Sequence, residues 1–225
     1  MKKPYLLIIT AVLYLALTGG MSLANDSDAE KIEALKQEVK MNPDDADAHS
    51  QLGHFYKDLG MYKEAIEAYK QSIRIEPDNA WYHELLSDAY LQSDKYEEAV
   101  EEFKQVIRIR PDYAIAHYFL GTTYSALGMH QEVIEECKLA IKLAPDFARA
   151  YNRLGKTYIK LGMNKEAIEV LKQVIRIYPD YAEAYNNLGI AYVLSNNRGS
   201  ALEQYKILKS LDTELANELF NEIYK

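Results

Sequence analysis

The chain has 225 residues, a formal charge of −8 and 48% hydrophobic residues, enough apolar material for one large or two small domains with a real core. With 27% charged residues and only 10 Gly and 6 Pro, its composition is neither collagen-like, low-complexity nor β-rich, which leaves a helical globular or helical repeat protein. The single cysteine, Cys137, excludes an intrachain disulfide and a cysteine-rich zinc site, and the acidic balance argues against general nucleic-acid binding, which needs clustered Lys and Arg to release counterions.

The chain opens with Met1-Lys2-Lys3, an apolar run from Tyr5 to Leu17, and then Thr18 to Ala24 with small residues at Ser22 and Ala24. This order predicts a secretory signal peptide over residues 1–24, cleaved after Ala24. Loss of Lys2 and Lys3 then leaves −10 on the mature chain. The alternative is an uncleaved membrane anchor, against which Gly19, Gly20 and Ser22 interrupt the apolar helix. An exported protein, periplasmic or extracellular, is expected, with membrane contact only if this segment is retained. Ser27-Asp28-Ala29-Glu30 then forms a capping box, predicting a helix to about Met41 and an N-terminal capping helix over residues 25–42.

From there the chain repeats. Prolines stand at Pro43, Pro77, Pro111, Pro145 and Pro179, each 34 residues after the last and each followed by Asp. The same period aligns Leu52, Leu86, Leu120, Leu154 and Leu188, a small column at Gly53, Ser87, Gly121, Gly155 and Gly189, and a tyrosine column at Tyr56, Tyr90, Tyr124, Tyr158 and Tyr192. Later columns are Gly60, Asp94, Gly128, Gly162, Asn196; Ala65, Ala99, Val133, Ala167, Ala201; and Tyr69, Phe103, Cys137, Leu171, Tyr205.

Apolar residues recur at three- and four-residue steps on each side of the Gly60 column, so each copy predicts two amphipathic helices joined by a short turn. Gly60 and its equivalents supply a left-handed C-cap, for which Asp94 and Asn196 are the best tolerated non-glycine residues. Pro-Asp ends the second helix and places an acid near the next helix start. The small and Ala columns let the helix axes approach. Beyond the repeats, Leu215, Ala216, Leu219, Phe220 and Ile223 form one apolar stripe, which predicts a C-terminal capping helix over residues 214–225.

The pattern Leu52-Gly53, Tyr56, Ala65, Tyr69 and Pro77, repeated five times, resembles the tetratricopeptide repeat family. The resemblance covers residues 46–213 as repeats 46–79, 80–113, 114–147, 148–181 and 182–213. It implies an all-α, right-handed superhelical solenoid of antiparallel helix hairpins. Val133 in place of Ala, Cys137 in place of an aromatic and Thr213 in place of Pro depart from the pattern, and Val133 is expected to open the third hairpin slightly.

The sequences that approach catalytic and metal motifs are each incomplete. His49, His83 and His117 share a column that continues as Tyr151 and Tyr185, so they sit about one repeat apart, too far for common ligation at ~2.0 Å. His83-Glu84-Leu85-Leu86-Ser87 lacks the second histidine of a zinc-protease helix, and Gly155-Lys156-Thr157 lacks the leading glycine of a phosphate loop. Cys137 fills a core column and reads as a small buried hydrophobe. No enzyme activity, cofactor, metal or small-molecule substrate is expected.

Function is then expected at the surface. The resemblance implies a concave groove lined by first helices that binds a peptide segment of a partner protein. Groove-facing positions include Asp47, Ser50, Gln51, His54 and Asp58 in the first repeat, Glu84 and Asp88 in the second, and Glu183 in the fifth. The residues expected to form the peptide-binding groove are Trp81, Leu85, Ile115, Tyr118 and Phe119 as an apolar floor, Arg149, Arg153, Lys156 and Lys160 as a basic stripe, and Asn152, Asn186 and Asn187. Such a groove suits a segment with an apolar anchor beside Asp, Glu or a C-terminal carboxylate. The family's carboxylate clamp is not matched, because Glu84, Asp88 and Phe119 stand where it needs Lys and Asn. A scaffold or adaptor, in an envelope assembly, is the expected role; the alternative is a structural spacer that self-associates as a homo-oligomer without a peptide ligand.

Overall fold

Tandem antiparallel hairpins build the protein, as a computed structural model describes it over residues 26–225; the expected signal segment lies outside the described residues. Twelve helices and no strand occur among them. A lone helix, α1 (Asp26–Met41), precedes the pairs α2 (Ala46–Asp58) and α3 (Tyr62–Ile75), α4 (Ala80–Gln92) and α5 (Tyr96–Ile109), α6 (Ala114–Ala126) and α7 (His130–Leu143), α8 (Ala148–Lys160) and α9 (Asn164–Ile177), and α10 (Ala182–Leu194) and α11 (Arg198–Leu211). Helix α12 (Thr213–Tyr224) follows. The chain divides into two compact units, one ending at Glu98 and one beginning at Ala99, a boundary inside the first turn of α5.

The turn within each hairpin is the same physical device five times over. Gly60, Asp94, Gly128, Gly162 and Asn196 all have positive φ, between 56° and 73°. In the first hairpin Gly60 N–H donates to Lys57 O and Met61 N–H to Tyr56 O, both at 2.9 Å, which is the paired bonding of a Schellman motif. The same two bonds recur at Asp94 and Lys95, Gly128 and Met129, Gly162 and Met163, and Asn196 and Asn197. The tyrosine column therefore has a backbone duty too: the carbonyls of Tyr56, Tyr90, Tyr124, Tyr158 and Tyr192 accept the bond from the residue five positions later.

The connections between hairpins differ from the sequence expectation. The acid directly after each proline lies before the cap position, and the cap falls one residue later. Asp45 accepts from Ala48 N–H and Asn79 from Trp81 N–H, but Tyr113, Phe147 and Tyr181 occupy the three remaining positions without side-chain capping bonds. At the first two of these the ring makes contacts instead, with the Arg110 guanidinium 4.0 Å from the Tyr113 ring centre and Phe147 5.1 Å from Tyr118. The histidine column pins these connections. His49, His83 and His117 each point Nε2 at the carbonyl oxygen of the proline six residues earlier, at 3.0, 3.0 and 3.4 Å, and the Tyr185 hydroxyl donates to Pro179 O at 2.9 Å. Among the described residues, no group of three or more His, Cys, Asp or Glu is placed to hold a metal ion.

Packing explains the small column. A Cβ added at Gly53 would stand 2.8 Å from the Tyr69 ring, and one at Gly155 2.6 Å from Leu171 Cγ. The fifth repeat departs from this: Leu219 of α12, rather than Tyr205, fills the space beside Gly189. Tyr205 instead joins Phe220 and Tyr224 in an aromatic group at the surface of α11 and α12. In the third repeat Val133 and Cys137 are both fully buried. Helix α1 is already under way at Asp26, so Ser27 lies within the helix rather than at its cap. It rests a partly buried stripe of Ile32, Leu35 and Val39 on α2.

Candidate functional site

In the second unit, α6 carries no charged side chain apart from His117, while α8 carries Arg149, Arg153, Lys156 and Lys160 and no carboxylate. Spacings of four, three and four put the four cations on one side of α8. Between α6, α8 and the start of α10 lies a pocket of about 330 Å³. Tyr118 and Phe119 of α6 form one wall, Arg149, Asn152, Arg153 and Lys156 of α8 the base, and Tyr181 and Glu183 the other wall.

The aromatic wall is held in place by its own stacking. Phe119 stacks on Phe103 with ring centres 5.9 Å apart, and Tyr118 lies between Phe119 at 5.4 Å and Phe147 at 5.1 Å. The amides form a relay. Asn187 Nδ2 donates to Asn152 Oδ1 at 2.8 Å, Asn152 Nδ2 donates to Glu183 Oε2 at 3.2 Å, and the Tyr181 hydroxyl donates to the same oxygen at 3.4 Å. Burial and the Glu183 charge push the Tyr181 hydroxyl up, which keeps it a donor. Asn152 and Asn187 are both buried, so their amides orient Glu183 and brace α8 against α10.

The cations are differently placed. Among the described residues, none of Arg149, Arg153, Lys156 and Lys160 has a carboxylate within ion-pairing distance. Three of them therefore present unneutralised charge to a pocket whose only acid, Glu183, is already engaged by two donors. This geometry accepts an anionic group next to an apolar one.

Other expected groove residues lie elsewhere. Lys160 ends α8 and lies outside the pocket, as does Ile115, 42% exposed in the first turn of α6. Asn186 is half-buried, with Oδ1 lacking a hydrogen-bond partner among the described residues. Trp81 and Leu85 belong to the first unit, where they line a pocket of about 360 Å³ with Lys31 and Leu35 of α1 and Ser50, Gln51, His54, Phe55 and Asp58 of α2. The contributions of Lys31, Leu35, Phe55 and Tyr181 are absent from the sequence expectation. Tyr181 did carry a signal, because Tyr113, Phe147 and Tyr181 recur at 34-residue spacing two residues after each proline.

Sequence comparison matches family models described as "TPR repeat" at residues 87–128 and 155–196, and models described as "Tetratricopeptide repeat" at residues 46–79 and 114–147. No curated protein sequence matches the chain. Similar solved structures include MamA protein, 27% identical with a TM-score of 0.70, over 76% of this chain and 94% of that one. Another is YrrB, described as a TPR protein with an unusual peptide-binding site, 22% identical with a TM-score of 0.69 over 84% and 99% of the two chains. A third is a thermophilic TPR protein of Thermus thermophilus, 21% identical with a TM-score of 0.59 over 80% and 100%. The latter two likenesses concern the fold alone.

Proposed function

The chain belongs to the tetratricopeptide repeat family, and from that premise we propose that it is a protein-binding scaffold or adaptor that takes a partner segment into the pocket of its second unit. The observation that carries this reading is the convergence of Tyr118 and Phe119 with Arg149, Arg153 and Lys156, three cations without a carboxylate partner among the described residues, around 330 Å³ of open space. An apolar anchor on the partner loses water against the aromatic wall at roughly 25 cal/mol per Å². An Asp, Glu or C-terminal carboxylate beside it is steered and oriented by α8. The family's interaction modules generally lack catalysis, and each motif that mimics an active site here is part of the repeat grammar, which supports a binding protein over an enzyme.

Export belongs to the same proposal and rests on the order of basic, apolar and small residues up to Ala24. No helix among the described residues is long and apolar enough to cross a membrane. Intact-mass measurement of the exported fraction tests it: a species lacking residues 1–24 supports cleavage, and one beginning at Met1 refutes it.

The binding reading is tested by pull-down from envelope extract followed by titration of the captured partner's segment. Charge reversal at Arg149 and Arg153 should weaken binding mainly at low salt, since screened pairs contribute about 0.2–1 kcal/mol each. Phe119→Ala should weaken it at any salt, with circular dichroism confirming intact helices. A segment that binds both variants as tightly as the wild type refutes the assignment.

A further inference from the structure

Charge is distributed unequally along the chain. Residues 26–98 carry eighteen Asp and Glu against eight Lys and Arg, whereas residues 99–225 carry sixteen of each. The asymmetry is sharpest on the first helices of the hairpins. Helices α2 and α4 hold Asp47, Asp58, Glu84 and Asp88 against Lys57 alone, the reverse of α8. Lys57 is itself bound, its Nζ 2.7 Å from Asp88 Oδ2.

The first unit holds a pocket whose lining includes one carboxylate, Asp58, and one ammonium, Lys31. Its walls are apolar: Leu35 of α1, Phe55 of α2, and Trp81 and Leu85 of α4, with Trp81 58% exposed. A tryptophan left this open in a concave apolar site is characteristic of a recognition surface. The lining includes Asp58, with 58% of its side chain exposed and the His54 ring 3.7 Å away. The pocket's own cation is Lys31, whose ammonium sits 4.6 Å from the centre of the Phe55 ring.

We propose that this pocket is a second recognition site, of opposite sign to the one in the second unit, and that its occupant is a basic peptide segment bearing one large apolar side chain. The apolar side chain enters between Phe55, Trp81 and Leu85. A neighbouring Lys or Arg faces Asp58, and the excess charge of residues 26–98 raises the local concentration of such a segment. An anionic segment meets repulsion from the unit and finds one cation in the pocket, already placed over an aromatic ring. The site is independent of the pocket formed by Arg149 and Arg153, with which it shares no lining residue.

Trp81 is the chain's single tryptophan, so its emission reports on this pocket alone. The test titrates the protein with the synthetic peptide Lys-Leu-Lys-Phe-Lys-Leu-Lys and with its counterpart in which every Lys is Glu. The expected result is a saturable blue shift with the basic peptide, none with the acidic one, and weakening of the basic peptide by added salt. Asp58→Lys should weaken binding about fivefold, as the loss and reversal of an exposed charge pair imply. Leu85→Ala should weaken it about tenfold, as truncation of an apolar contact residue implies. The double variant R149E/R153E should leave the shift unchanged, which separates this site from the proposed pocket of the second unit. Equal response to the acidic peptide, no response to the basic one, or full-strength binding to Asp58→Lys and Leu85→Ala overturns the proposal. A blue shift that grows with protein concentration alone, with light scattering reporting a dimer, also overturns it by assigning the pocket to a second copy of the chain.

Discussion

Replacing Gly155 by Ala should destabilise the protein by about 1–2 kcal/mol, while the same replacement at Gly121, in the same column, should be neutral or stabilising by up to about 1 kcal/mol. At Gly155 the new Cβ would lie 2.6 Å from Leu171 Cγ and 2.7 Å from Leu171 Cδ2. Leu171 is fully buried in the core formed with Leu154, Val174 and Leu188, so it has little room to retreat. Overpacking of one methyl costs about 1–3 kcal/mol, and removing a glycine from a helix interior returns about 0.5–1 kcal/mol. At Gly121 the nearest atoms are Glu136 Cβ at 3.3 Å and Cys137 Sγ at 3.5 Å, so a shift of a few tenths of an ångström suffices and the helix gain dominates. Thermal unfolding followed by circular dichroism checks both, since each kcal/mol moves the midpoint of a chain this size by about 2–4 °C. In a Leu171→Cys background, which reproduces the third repeat, the added cost of Gly155→Ala should disappear. If Gly155→Ala matches the wild type, or is less harmful than Gly121→Ala, the close approach of α8 and α9 is not what the small column serves.

Three further outcomes follow from single contacts. The hydrogen bond between His117 Nδ1 and Glu136 Oε2, 2.7 Å long and largely buried, raises the His117 value above its ordinary 6.5, against the opposing effect of burial. The folded value exceeds the unfolded one, so this stabilisation is complete below about pH 6.5 and fades as pH rises through the raised value; Glu136→Gln should lower the melting temperature most in acid and converge on the wild type in alkali. Burial pushes the Cys137 thiol up to about 12, so a thiol-reactive dye should label it only after denaturation, and rapid labelling of native protein would contradict its burial. Asn196 has φ of 56°, so Asn196→Gly should stabilise by about 0.5–1 kcal/mol in urea unfolding, and a loss of stability would show that its side chain does more than tolerate the turn.

What could be read from the chain alone was whatever each repeat decides for itself. A left-handed residue is needed wherever a helix must reverse within two residues, so Gly60, Gly128, Gly162 and even Asp94 and Asn196 marked their turns in advance. The small column likewise announced close helix pairs, because only a missing side chain lets Tyr69 or Leu171 lie against the neighbouring helix. The basic stripe on α8 was legible for the same reason, since helical spacing alone sets which residues share a face.

Contacts between elements without a common repeat register were decided only by the tertiary structure. Helix α1 places Lys31 and Leu35 beside Trp81 and Leu85, though nothing in its own pattern names that partner. Leu219 of α12, rather than Tyr205, lies beside Gly189, because α12 stands outside the 34-residue columns and packs there instead. Asn152 and Asn187 looked like ligand-binding amides, yet three-dimensional proximity joins them to each other and to Glu183. Periodicity states which face a side chain occupies; which side chain from another helix satisfies or buries it depends on distances that arise only when the helices have packed.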